Sequence, residues 1–132
     1  MKKTAEEIRA EEQKELFRSW AEKYQLTKAD FFVSRHFIIV RKSGILKMQS
    51  AEKIKIRYEL VKCEAFLCCV KALGARDGDK HWVESYGSAT PDNCKSLYYM
   101  EMAEKRARAR VVLEVCGANA MDIFGEEEGA HE

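Results

Sequence analysis

Hydrophobic and polar positions repeat with different periods along this chain, and the periods mark out its elements. The longest periodic stretch runs from Tyr98 to Cys116. At about 100° per residue, Tyr98, Met102, Ala109, Leu113 and Cys116 fall within roughly 60° of one another, and Tyr99, Ala103, Ala107 and Val111 widen that arc. The pattern predicts a helix whose solvated side carries Glu101, Glu104, Lys105 and Arg108. A second helix is predicted from Thr4, which forms a capping-box signature with Glu7, to about Tyr24. Its apolar side gathers late, at Leu16, Phe17, Trp20 and Tyr24, so its first two turns should be exposed. Residues 31–33 and 37–40 look extended. Ser43-Gly44 breaks the chain, and residues 45–52 fit a short helix with Ile45, Met48 and Ala51 inward.

Period two takes over at Ile54. The run Ile54-Lys55-Ile56-Arg57-Tyr58-Glu59-Leu60 alternates as a half-buried strand does, with Lys55, Arg57 and Glu59 on the face away from the isoleucines. Residues 65–73 form a nearly continuous apolar strand. Gly74 to Asp79 is a turn whose strongest hairpin signal is Asp77-Gly78, and Lys80 to Tyr86 returns as the partner strand, ended by Gly87. In that strand Trp82, Glu84 and Tyr86 share one face. Pro91, ahead of Asp92 and Asn93, predicts the start of the last helix, and Gly117 its left-handed stop. Residues 118–124 are expected to dock back. The fold class is therefore α+β: an N-terminal helix, a three- to four-stranded antiparallel sheet with a hairpin at 64–87, and a long C-terminal helix packed on the sheet. Residues 1–121 make one domain, and 122–132 an acidic, disordered tail.

Composition narrows the class. With 132 residues, 46% hydrophobic and 34% charged, the chain suits one soluble globular domain. It has no apolar run of membrane-spanning length and no apolar secretory leader, so a cytoplasmic protein is expected. The five cysteines, Cys63, Cys68, Cys69, Cys94 and Cys116, are odd in number and fit no zinc spacing, so they read as reduced thiols used as small apolar residues. The net charge of +1 conceals a partition: residues 35–80 hold eleven basic and five acidic groups, whereas residues 117–132 hold five acids and no Lys or Arg. A basic middle of this kind suits a polyanion, with a solvated strand face as the plainer alternative.

No catalytic set assembles. His36, His81 and His131 are scattered without a nucleophile at motif spacing, and Asp77, Asp79 and His81 read as turn formers. Gly74 to Gly78 lacks the Gly-Lys-Ser/Thr of a phosphate loop, so neither an enzyme nor a cofactor is expected. What stands out is Arg106 and Arg110, stacked at i, i+4 inside the packing arc of the last helix. They either snorkel to the rim of a core or line a groove that receives an anion. Glu114 can satisfy Arg110. Arg106 has no acid at i±4, so it needs a carboxylate on the sheet or a phosphate.

The order hairpin, Tyr86-Gly87-Ser88-Ala89, then a helix with Ala103-Glu104-Lys105-Arg106-Ala107-Arg108-Ala109-Arg110 closing on Cys116-Gly117-Ala118-Asn119-Ala120, resembles the Rad-type (Rad fifty-two-like) single-strand annealing proteins and their phage relatives. Ser85-Tyr86-Gly87 occupies the place of the family's Gly-Tyr-Gly-like corner, and Ile39-Val40 through Gly44-Ile45-Leu46 resembles its strand-to-short-helix segment. The likeness covers about residues 36–120. It implies a curved antiparallel sheet under a long helix, with single-stranded DNA held by its phosphates in a basic groove between the two and no nucleotide hydrolysis. A basic family position late in the helix falls on Arg110, and the one beside it falls on Val111. Ring assembly is common in the family, so the resemblance implies a homo-oligomer as a candidate partner.

The expectation is sequence-independent binding and annealing of single-stranded DNA in recombination. Arg110 and Arg106 would contact phosphates, Lys55, Arg57 and Lys62 would form the basic wall, and Trp82 and Tyr86 would stack on bases. The alternatives are a double-stranded-RNA-binding module, which would place a lysine cluster at the start of the last helix, and a protein-interaction domain using the N-terminal helix and acidic tail.

Overall fold

The computed structural model describes residues 4–33, 38–95, 97–118 and 123–125. In chain order the elements are α1 (Ala5–Lys23), β1 (Phe31–Val33), β2 (Ile38–Val40), α2 (Lys42–Ala51), β3 (Ile54–Glu64), β4 (Leu67–Arg76), β5 (Val83–Ala89), α3 (Tyr99–Val115) and β6 (Ile123–Gly125). The α+β class is as expected, with the long helix packed on a sheet. That sheet is the antiparallel meander β3-β4-β5. A second, smaller sheet has the order β1-β2-β6, antiparallel between β1 and β2 and parallel between β2 and β6.

The helix α3 lies between two cores. One face (Ala103, Ala107, Val111) packs with Cys68, Val70 and Ala72 of β4 and Ala89 of β5. The other (Ala109, Val112, Leu113) packs with Phe17, Trp20 and Tyr24 of the α1 region, Val40, Ile45, Met48 and Ile123. Burial on two sides explains why its polar and apolar positions do not separate cleanly by face. Its partners are mostly small, and two glycines set how closely it approaches. A Cβ on Gly87 would strike the α3 backbone at Ala103 O and Ala107 N and lie 2.9 Å from Arg106 Cβ; one on Gly74 would strike Val111 Cγ1.

These contacts account for several departures from the expected boundaries. Gly74 lies within β4 and Gly87 within β5, not in turns, because each is where the sheet must lack a side chain. The β4–β5 connection runs over residues 77–82, with Gly78 at φ 87°, so Lys80, His81 and Trp82, expected in the returning strand, lie ahead of β5. Ser43-Gly44 lies inside α2, since a Cβ on Gly44 would come within 2.6 Å of Val40 Cγ1 and 2.8 Å of the Asp30 carbonyl. Pro91-Asp92-Asn93 does not start α3. Asn93 Oδ1 instead accepts a bond from Thr90 N (2.8 Å), making a turn, and the helix begins at Tyr99. The capping box of Thr4 and Glu7 is present, and Gly117 takes the left-handed conformation at φ 76°. Leu16 and Ala51, expected inward, are exposed. Ile123–Gly125, in the segment expected to be tail, forms β6, with Ile123 fully buried; residues 126–132 lie outside the described residues, as do Asn119 and Ala120.

Two carboxylates tie the layers together. Asp30, 2% exposed, accepts bonds from Thr27 N (2.8 Å), Thr27 Oγ1 (3.2 Å), Ser43 Oγ (2.6 Å) and Lys47 Nζ (2.6 Å). Burial alone would raise its pKa. The bonds from Lys47, Ser43 and Thr27 together outweigh that and hold it well below the usual carboxylate range. Glu52, just after α2, accepts from Tyr24 Oη (2.6 Å) and Arg76 Nε (2.8 Å) and pairs with Lys23 at 3.3 Å. The Tyr24 bond, helped by Arg76 and Lys23, depresses its pKa to about 2.

Candidate nucleic-acid interface

Strand alternation divides the meander into two faces. Directly paired residues project to the same side. On the side covered by α3, Ile56 pairs with Gly74, Tyr58 with Ala72 and Leu60 with Val70. On the open side Lys55 pairs with Ala75, Arg57 with Leu73 and Glu59 with Lys71; across β4 and β5, Lys71 then meets Tyr86 and Leu73 meets Glu84. Strict alternation would turn Lys62 toward α3. A bulge between Leu60 and Lys62 resets the register so that Lys62 pairs with Cys69 and stays on the open face. Of the seven expected residues, Lys55, Arg57, Lys62 and Tyr86 thus share the face away from α3, and Trp82, in the loop ahead of β5, joins them through its contact with Arg57.

The centre of that face is an arginine on an indole. The Arg57 guanidinium lies 4.7 Å above the Trp82 ring, and Tyr86 is 47% exposed on β5. The lysines are paired at the surface: Lys55 with Asp77 at 3.5 Å, Lys62 with Glu64 at 3.3 Å, and Lys71 with Glu84 at 3.3 Å and Glu59 at 3.8 Å. Donating a hydrogen bond to the Glu84 carboxylate raises the Lys71 pKa. Lys71 is the residue the sequence reading missed. The signal was there, because Lys71 alternates with the buried Val70 and Ala72, but the apolar run around it reads as a strand buried on both faces.

The two helix arginines part company. Arg106 is 5% exposed and sits under the 88–93 segment. Its guanidinium donates to Ser88 O (2.7 Å), Asn93 Oδ1 (2.8 Å) and Asn93 O. It meets neither a sheet carboxylate nor an opening to a phosphate; two main-chain carbonyls and an amide oxygen accept from it. Arg110 is exposed and reaches the rim of β5, donating to Tyr86 O at 2.7 Å. The fold therefore brings Arg110 beside Tyr86 and leaves Arg106 as part of the scaffold. Arg108, expected in solvent, donates to Tyr58 Oη (2.8 Å) and pairs with Glu104 at 3.3 Å.

This division predicts opposite phenotypes. Arg106→Ala should cost about 2–4 kcal/mol in urea unfolding, since three acceptors lose a charged donor and a cavity opens. Arg110→Ala should stay within about 1 kcal/mol of the parent, as surface substitutions usually do. Equal losses from the two would contradict the assignment.

Among the described residues no group of His, Cys, Asp and Glu is arranged to hold a metal ion, and no helix is long and apolar enough to cross a membrane. No family model, no curated protein and no solved structure matches this chain.

Proposed function

We propose that this protein binds single-stranded DNA without sequence preference across the open face of β3-β4-β5 and promotes annealing, as the resemblance to Rad-type annealing proteins implies. The observation that carries the reading is the Arg57–Trp82 stack, flanked by Lys55, Lys62, Lys71 and Tyr86. An aromatic face and a guanidinium together offer a base something to stack on and a phosphate something to pair with. Lys55 and Lys62 are tied by exposed ion pairs and Lys71 by two exposed carboxylates, Glu59 and Glu84, so a chain of phosphates can displace those carboxylates. Arg110 extends the track at the β5 rim. The site moves from the groove beside α3, where the resemblance puts it, to the opposite face. The first turn of α3 carries Tyr99, Met100, Glu101 and Met102 and no lysine, which weighs against the double-stranded-RNA alternative.

Retention of a labelled single strand at low and high salt tests the reading. Binding should fall steeply as salt rises, and Lys71→Ala or Arg57→Ala should each flatten the log–log slope by roughly 0.7 per lost phosphate contact. Trp82→Ala should weaken binding with little change in slope, since stacking releases no counterion. Salt-insensitive binding, or binding untouched by Arg57→Ala and Trp82→Ala, would retire the proposal.

A further inference from the structure

The tip of the β3–β4 hairpin carries two cysteines that face each other. Residues 65 and 66 form a two-residue turn closed by the Glu64–Leu67 pair, and Cys63–Cys68 is the next pair along the ladder. In an antiparallel ladder the hydrogen-bonded pair that closes so tight a turn is followed by a non-hydrogen-bonded one. There the Cα atoms are only about 4.5 Å apart and the side chains closest. That separation falls within the roughly 4.4–6.8 Å span of disulfides. The neighbouring Cys63 side chain adds to the burial that raises the Cys68 pKa.

Their surroundings differ. Cys63 is exposed, whereas Cys68 is fully buried in the core beneath α3. Cys69 pairs with Lys62 and points to the other face, so neither Cys63 nor Cys68 can reach it without turning a strand over. Cys94 shares the core with Cys68 but is itself buried, so an oxidant meets Cys63 first.

We propose that Cys63 and Cys68 are a thiol–disulfide modification site, oxidised in two steps by a small-molecule disulfide. The exposed Cys63 thiolate attacks one sulfur of the small disulfide, forming a mixed disulfide and expelling a thiolate that takes up a proton. The Cys68 thiol loses its proton and its sulfur attacks Cys63 Sγ, forming the Cys63–Cys68 bond and expelling the second small thiolate. Two protein thiols are oxidised and one small disulfide is reduced to two thiols. Burial raises the Cys68 pKa to about 11, so the second step is the slow one and should speed up with rising pH. The inference does not depend on DNA binding.

The test is incubation of the folded chain with oxidised glutathione, followed by cleavage after Lys and Glu without reduction. Cleavage after Lys62, Glu64 and Lys71 separates the fragment 63–64 from the fragment 65–71. The two should be recovered joined, should come apart with dithiothreitol, and should form equally well in Cys69→Ser. That variant assigns the partner as Cys68 while leaving the buried thiol in place. A stable glutathione adduct at Cys63 with no joined fragments, a joined product that disappears in Cys69→Ser, or a bond from Cys68 to Cys94 would each overturn the proposal.

Discussion

Gly87→Ala is expected to lower the melting temperature by roughly 10 °C or more, the largest effect of any single added methyl group. Overpacking commonly costs about 1–3 kcal/mol when side chains can yield. Here the obstructing atoms are main-chain atoms of α3, Ala103 O and Ala107 N, which cannot rotate away. Relief requires lifting the helix off β5, and the helix carries Arg106, whose guanidinium holds Ser88 and Asn93 in place. The cost should reach at least about 3 kcal/mol, and a domain of this size loses several degrees per kcal/mol. Calorimetry of the variant checks it. A melting temperature within about 2 °C of the parent would mean that helix and strand do not meet as closely as described.

Asp30→Ala should be the second severe substitution, at about 2–4 kcal/mol. Removing one partner of a buried ion pair strands the other, and here Lys47, the Ser43 hydroxyl and the Thr27 main-chain N–H lose their acceptor together. Lys47 is 42% exposed and can find water, which keeps the figure below that of a fully enclosed pair. The same carboxylate gives a pH signature. Its folded-state pKa lies below the unfolded value of 3.8, so the folded chain binds fewer protons there than the unfolded chain. The stability it supplies is present above the unfolded value and lost as pH falls toward the folded one. Glu52, depressed from 4.5 to about 2, acts in the same direction. Urea unfolding at pH 6 and pH 3 should show the parent losing stability and Asp30→Ala losing markedly less of it. Equal losses would place the acid sensitivity elsewhere.

The elements were legible where one period dominated. The alternation from Ile54 to Leu60, the capping box at Thr4 and Glu7, and the long helix ending at Gly117 all follow from local chemistry, and the structure keeps them. The boundaries that moved did so for non-local reasons. Gly44, Gly74 and Gly87 read as breaks because glycine is common in turns, yet each lies inside an element where another segment presses on its Cα. Asn93 reads as a helix start, but its amide serves a turn and a distant arginine. In the candidate site, parity places Lys55 with Arg57 and Glu84 with Tyr86 as the structure does, whereas Trp82 lies in the loop ahead of β5 and meets Arg57 from there. Parity does not show which face α3 covers, nor that the partners of Arg106 are main-chain carbonyls eighteen and thirteen residues upstream. Lys62 reaches the open face only through a bulge, which no alternation pattern encodes.

Placing α3 at the junction of both cores also bears on how the chain comes apart. Each half lacks a complete apolar interior without that helix, so neither can persist once the other lets go. Loss of structure should be a single all-or-none event, with no half-folded species exposing the strands of the meander to self-association.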